Sequence, residues 1–293
     1  MDDMQLIEKL CQCRGVSGFE DEVLSAVREY LEGVAEFEED SMRNLYIYPK
    51  YNKGGRPFIM LDAHSDEVGF MVQAIKPDGT LRFIPIGGWN EKCLPSSKVQ
   101  IYTKTGYISG AIAAGSPHLM TADQRNAPVS YADLYIDIGA TCAKEAEEFG
   151  VEIGAPVVPL TPFEYDAKHG IMQGKAFDDR LGVASLVKCI KELNGKDLPL
   201  DIVGVISSQE EVGDRGIKAA MCRVKPIAAI CLEGCPADDT SAPNYMVQDA
   251  VKGGVMLRFM DATVICTPRF TSFAREVAAK RGIKVQMAVR SGG

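Results

Sequence analysis

After Gly174, short apolar runs alternate with helical repeats, and no other feature of this chain narrows its fold as far. Asp179–Leu193 sets Leu186, Ile190 and Leu193 on one helical face, and Gly213–Cys222 reads as a shorter helix. Ile202–Ser207 and Ile227–Leu232 are apolar strands, and Val255–Met260 reads as a third. A helix over Thr271–Arg281 and a strand over Lys284–Ala288 follow. Strands separated by helices pair mostly in parallel, because a parallel connection needs a crossover. Upstream, Pro57-Phe-Ile-Met-Leu-Asp62 is apolar without alternation, the pattern of a strand covered on both faces. The expected class is α/β, a mainly parallel or mixed sheet covered by helices.

Between Val68 and Thr161 the texture changes. β-type runs at Gly69–Ile75, Thr80–Ile86, Val99–Thr103, Gly106–Ala113, Tyr135–Ile138 and Pro156–Leu160 are punctuated by turns such as Pro77-Asp78-Gly79 and Gly87-Gly88. Helical periodicity survives only in Lys144–Phe149. This predicts a small β-rich barrel or sandwich. The N-terminal stretch reads as two helices, the second capped by Ser17, with acidic Glu20, Asp21 and Glu22 favouring its positive end. Asn44–Tyr48 is extended.

Composition excludes several classes. Apolar residues make up 46% and charged residues 25%, which rules out a disordered, collagenous or coiled-coil chain. The net charge of −8, without a run of Lys or Arg, argues against nucleic acid or an anionic membrane as partner. No apolar stretch approaches the roughly 18 residues of a membrane span, and the acidic start Met1-Asp-Asp-Met lacks a secretory pattern. A cytoplasmic protein is expected. Nine cysteines are an odd number; Cys189, Cys231 and Cys266 lie in apolar segments and read as buried, reduced thiols.

Four polar clusters stand at strand ends or a helix start: Ala63-His64-Ser65-Asp66-Glu67, Ala176-Phe177-Asp178-Asp179-Arg180, Ser208-Gln209-Glu210-Glu211 and Leu232-Glu233-Gly234. Ligand sites of open α/β sheets form outside the carboxyl ends of the strands, so the four can converge. Together they hold one imidazole and several carboxylates without a basic cluster. Such carboxylates repel, and a divalent cation resolves the conflict. Imidazole with carboxylate suits Zn, Co or Mn better than Ca or Mg. His64 and Asp66 lie two apart and share a side in extended backbone, so Asp66 can orient the ring or ligate beside it. Glu210 and Glu211 are adjacent and cannot face identically; one can ligate while the other serves as general base. Singly, each cluster is equally an ordinary cap or loop.

Other signals are weaker. His118 reads as a structural hydrogen-bonder and His169 as a loop residue. Cys11-Gln-Cys13 and Cys231-x3-Cys235 lack zinc-finger spacing. No G-x-S-x-G, P-loop or G-x-G-x-x-G occurs, which removes the serine-hydrolase, NTPase and dinucleotide signatures.

In this order the clusters resemble the M42 family of metallo-aminopeptidases. The matching stretches are Asp62-Ala-His64-Ser-Asp66-Glu67-Val-Gly-Phe70, Gly174-Lys-Ala-Phe-Asp178-Asp179-Arg180-Leu-Gly182, Gln209-Glu210-Glu211-Val-Gly213 and Leu232-Glu233-Gly234, and the similarity spans essentially the whole chain. The resemblance implies a catalytic domain, residues 1–67 and 165–293, interrupted by a PDZ-like β-rich domain, residues 68–164, that serves oligomerisation and substrate access. It implies two divalent ions per subunit, Zn or Co, bridged by Asp178. His64 and Glu233 would complete one ligand set, and Glu211 would bind the other ion. Glu210 would be the general base and Asp66 the support of His64. The activity implied is release of N-terminal residues from peptides by a metal-bound hydroxide, in a homo-oligomer between dimer and dodecamer.

One departure stands out. The family draws a last histidine ligand from a segment beyond a Ser-Gly-Gly stretch, and this sequence stops at Arg290-Ser-Gly-Gly293. The ion shared by Asp178 and Glu211 then lacks its imidazole. Because the other ligand motifs are intact, the expectation is a sequence cut short rather than a degraded relative. An inactive family member acting as a structural or peptide-binding subunit is the alternative. Glycoside hydrolysis by a carboxylate pair explains the paired acids but not His64.

Overall fold

A computed structural model describes residues 1–116 and 118–292. Two compact units divide the chain, Met1–Glu233 and Gly234–Gly293.

The first unit opens with helices α1 (Asp3–Gln12) and α2 (Asp21–Tyr30), then strands β1 (Ala35–Glu39), β2 (Leu45–Pro49) and β3 (Phe58–His64). Asp2 closes a capping box with Gln5 on α1, each side chain accepting the other residue's backbone N–H. Ser17 does not cap α2, as the sequence suggested. Glu20 takes the N-cap position without a side-chain bond, and the Ser17 hydroxyl is spent elsewhere.

The β-type stretch forms strands β4 (Gly69–Ile75), β5 (Leu81–Ile86), β6 (Lys98–Thr103), β7 (Gly106–Ala113), β8 (Tyr135–Asp137) and β9 (Pro156–Pro159). They close into a barrel in the order β4-β5-β8-β7-β6-β9, which leaves no open edge. Alternate residues fill it: Phe70 and Val72, Leu81 and Phe83, Val99 and Ile101 are all buried in one cluster. Helices α3 (Ala122–Asn126) and α4 (Ala143–Glu148) sit in the connections; the sequence reading gave only the second.

Beyond the barrel come the hairpin β10 (Glu164–Asp166) and β11 (Ile171–Gln173), helix α5 (Phe177–Glu192), β12 (Asp201–Ser207), α6 (Arg215–Val224) and β13 (Ala228–Cys231). The main sheet is mixed, in the order β1-β2-β12-β3-β13. Its centre is parallel, with Ser207 opposite His64 and Cys231 opposite Asp62. β2 and β1 extend it antiparallel. One face packs against α1, α2 and α5 through Leu10, Val27, Leu45, Leu61, Leu186 and Ile206. The other holds Tyr46, Met60, Val203 and Val205 against Ala220 and Ile217 of α6. A sheet covered on both faces accounts for the unbroken apolar runs.

The second unit holds β14 (Val255–Met260), α7 (Pro268–Arg281) and β15 (Val285–Val289). β14 and β15 pair in parallel, so α7 is their crossover, with Pro268 in its first turn and Gly282 at φ +66° ending it. The sequence reading took β14 as a third strand of the main parallel sheet; it pairs instead with β15 in a separate two-stranded sheet.

The cysteines differ from the reading as buried thiols. Among the described residues no cysteine forms a disulfide; Cys11 is buried, Cys189 and Cys266 are half-buried, and Cys231 is exposed. Cys231 ends β13, the last strand in the order of the main sheet.

Candidate metal centre

Because β12, β3 and β13 run parallel, their carboxyl ends lie along one edge of the sheet, and the polar clusters emerge there. His64 is the last residue of β3, two places beyond the end that apolarity alone marked. Glu210 and Glu211 follow β12, Glu233 follows β13, and Asp178 lies in the first turn of α5.

His64 is the hub. Its Nε2 stands 3.0 Å from Asp178 Oδ1, 3.2 Å from Glu233 Oε1 and 3.7 Å from Glu210 Oε2. Two donor triads share it, His64–Asp178–Glu233 and His64–Glu210–Glu211, and within each the ligand atoms lie within 4.8 Å of one another. The structure thus brings together all four residues read as metal ligands, and Glu210 with them. Glu210 and Glu211 both reach the ring, although adjacent positions were expected to diverge. They sit where the chain leaves β12 and turns, not in a strand, so the alternation of an extended chain does not apply.

Asp66 meets the other side of the ring. His64 Nδ1 lies 3.0 Å from the Asp66 carbonyl oxygen and 3.4 Å from its carboxylate, which sets Nε2 toward the acids. The same carboxylate accepts the Ser17 hydroxyl at 2.6 Å and the backbone N–H groups of Glu210 and Glu211 at 3.0 and 3.2 Å. Those bonds hold a turn entered through Gln209 at φ +55°, a conformation that costs a non-glycine residue about 1–2 kcal/mol.

Several supporting residues carried no assigned role in the sequence. Asp179 accepts the backbone N–H of His64 at 3.1 Å and that of Gly182 at 3.0 Å, tying the end of β3 to the start of α5. Only a glycine fits at 182, since an added Cβ would lie 2.2 Å from the Asp179 carboxylate. Arg180 is fully buried and donates to the carbonyls of Ser65, Leu10, Cys13 and Gly15. Glu67 faces it at 3.5 Å and receives Lys175 Nζ at 2.6 Å. An acidic pair beside an Arg reads locally as a helix cap; its reach to α1 appears only in the fold.

The remaining histidines stand apart from these groups. His169 pairs with Asp166 in the β10–β11 turn at 2.5 Å. His118 is exposed in a turn, not the structural hydrogen-bonder expected.

Electrostatics describe a crowded acidic site around one cation. Burial, opposed by the charge of His64 and helped by the neighbouring acids, pushes Glu210 up to about 7 and Glu211 up to about 8. Burial raises Asp179 to about 9, with Glu233 adding. Burial opposes protonation of His64, yet its bonds to Asp178, Asp66 and Glu233 raise it well above the usual imidazole value. Burial would raise Asp178 and Asp66 too; the bond to His64, its charge and further hydrogen bonds together outweigh it and hold both low. Among the described residues, no Lys or Arg pairs with Asp178, Glu210 or Glu211. The donor set therefore suits a divalent ion of the Zn or Co type.

A family model described as M42 glutamyl aminopeptidase matches residues 44–293. The chain belongs to the M42 peptidase family. It is 31% identical to the glutamyl aminopeptidase of Lactococcus lactis over 300 residues, covering 99% of this chain and 82% of that one. The TET aminopeptidase of the marine sediment archaeon Thaumarchaeota archaeon SCGC AB-539-E09 superposes with a TM-score of 0.94 at 35% identity, over 99% of this chain and 82% of that one. The TET1 peptidase of Pyrococcus horikoshii, which can assemble into a tetrahedron or a large octahedral shell, gives 0.86 at 27% identity, over 100% and 86%. These relatives are peptidases with an α/β fold and mixed sheets. No helix among the described residues is long and apolar enough to cross a membrane.

Proposed function

We propose that this chain is a dinuclear metal-dependent aminopeptidase that releases N-terminal residues from peptides. The observation carrying this reading is the gathering of Asp178, Glu210, Glu211 and Glu233 around the His64 ring. His64, Asp178 and Glu233 would hold one ion, and Asp178 and Glu211 the other. Two bound Zn or Co ions supply polarisation of the carbonyl beside the cleaved bond and a lowered pKa for attacking water.

The chain's own groups do the rest. Glu210 takes the proton of the attacking water and passes it to the leaving amine. Asp66 fixes the His64 ring and the Glu210 turn together. The side chains of Asp178 and Glu233 are 57% and 44% exposed, so the cationic α-amino group of a peptide can approach them.

The barrel is the module through which copies assemble. Its apolar Ile84, Tyr102 and Ile153 are exposed, and the TET1 relative forms closed shells.

Hydrolysis of aminoacyl-p-nitroanilides tests the reading. Chelation should abolish turnover, and added Zn²⁺ or Co²⁺ should restore it. Glu210→Gln should lower kcat by about 10²–10⁴-fold with metal content unchanged. Turnover that ignores chelator, or survives Glu210→Gln, would overturn it.

A further inference from the structure

Glu211 differs from Asp66 and Asp178 in how its carboxylate is held. Its carboxylate accepts no hydrogen bond from the described residues, and only its backbone N–H is fixed, by Asp66. What stands against the side chain is the barrel. Gly87 follows β5 at φ +78°, and a Cβ built there would lie 3.1 Å from Glu211 Oε2 and 3.3 Å from Glu211 Cβ. The turn is itself anchored: Trp89 stacks on Phe70 at 4.8 Å and donates its indole N–H to the Gly69 carbonyl at 3.1 Å.

We propose that Gly87 is a positioning residue for Glu211: the turn after β5 is the wall that holds this carboxylate toward His64, so the barrel sets the geometry of the metal centre. The proposal rests on the two-metal reading. A packed but unbonded carboxylate takes its rotamer from its neighbours. A side chain at 87 crowds Glu211 more tightly than an ordinary contact, and the carboxylate must give way by a few tenths of an ångström, enough to disturb ligand geometry. The barrel then shapes the site directly, beyond any part in assembly.

Metal titration of the metal-free protein separates this from general damage, with Co²⁺ followed by visible absorption and Zn²⁺ by calorimetry. Glu211→Gln identifies the binding step that depends on this carboxylate. Gly87→Ala should weaken the same step by about 10-fold or more, and adding Glu211→Gln to it should cost nothing further. Gly87→Ala also meets Val68 Cγ1 at 2.6 Å and suffers backbone strain, so two controls are needed. Gly87→Ala/Val68→Ala removes the Val68 collision and should still lose the step. Gly139→Ala, at φ +82° with open space around it, carries the strain alone and should bind as the wild type does; so should Gly88→Ala, whose Cβ meets nothing within 4 Å. Wild-type binding by Gly87→Ala/Val68→Ala, or equal weakening by Gly139→Ala, overturns the proposal. Wild-type binding by Glu211→Gln is a separate failure, that of the two-metal reading itself.

Discussion

Asp66 accepts the backbone N–H of Glu210 at 3.0 Å while its chain supports the His64 ring from below. One carboxylate thus joins the end of β3 to the turn after β12, and the imidazole and the acids around it keep their spacing through it. Asp66→Asn substitutes an N–H₂ for one of the accepting oxygens and leaves a donor facing a donor. Metal affinity or kcat should fall by about 10–100-fold, and Ser17→Ala, which removes a single bond, should do less. Competition with a chromophoric chelator and steady-state kinetics measure the two. Full affinity and full kcat in Asp66→Asn would contradict this role.

Arg180 closes the floor of the site. Its guanidinium bonds four carbonyls from β3's end and the α1 loop and faces Glu67 without solvent. Arg180→Met removes the buried donor to the Ser65, Leu10 and Gly15 carbonyls and the second cation beside Glu67, which keeps Lys175. The expected loss is about 3–5 kcal/mol of stability, read from urea unfolding. A change within about 0.5 kcal/mol, as for a surface position, would contradict the burial argument.

Glu20 supplies a pH dependence away from the metal ligands. It is fully buried, with one oxygen accepting the Gly18 N–H at 2.8 Å and the other without a hydrogen bond. Burial lifts its carboxyl from an ordinary 4.5 to about 7, against the Gly18 bond and with help from the charge of Asp66. The folded chain therefore holds this proton more tightly than the unfolded one. The stability it contributes is complete below about 4.5 and is lost as pH rises through about 7. Glu20→Gln carries no such proton. Over that window the wild type should lose about 3 kcal/mol relative to the variant, at about 1.4 kcal/mol per pH unit. Urea unfolding of both at roughly pH 5 and roughly pH 8 checks it, and parallel pH profiles would contradict it.

The sequence was legible where local pattern and burial coincide. All six apolar or alternating runs between Gly69 and Leu160 became barrel strands, because each carries its own inward residues. The ends of β3, β12 and β13 delivered His64, Glu210, Glu211 and Glu233 because parallel neighbours end at one edge. Partnerships were less legible. β1, Ala-Glu-Phe-Glu-Glu, is an acidic edge strand recognisable only through its pairing with β2. β14 has a strand's composition, but nothing in it names β15 as partner. Ser17 has the local chemistry of a helix cap and serves Asp66, 49 residues away, because the fold puts a stronger acceptor in reach.

In the proposed centre, His64 and acids from three other segments surround divalent ions. Crystals grown with Zn²⁺ and measured at the zinc absorption edge test it directly. An anomalous peak is expected at about 2.0–2.2 Å from His64 Nε2 and from carboxylate oxygens of Asp178 and Glu233, with a second peak beside Glu211. A map without those peaks, with His64 still bonded directly to Asp178, would contradict it.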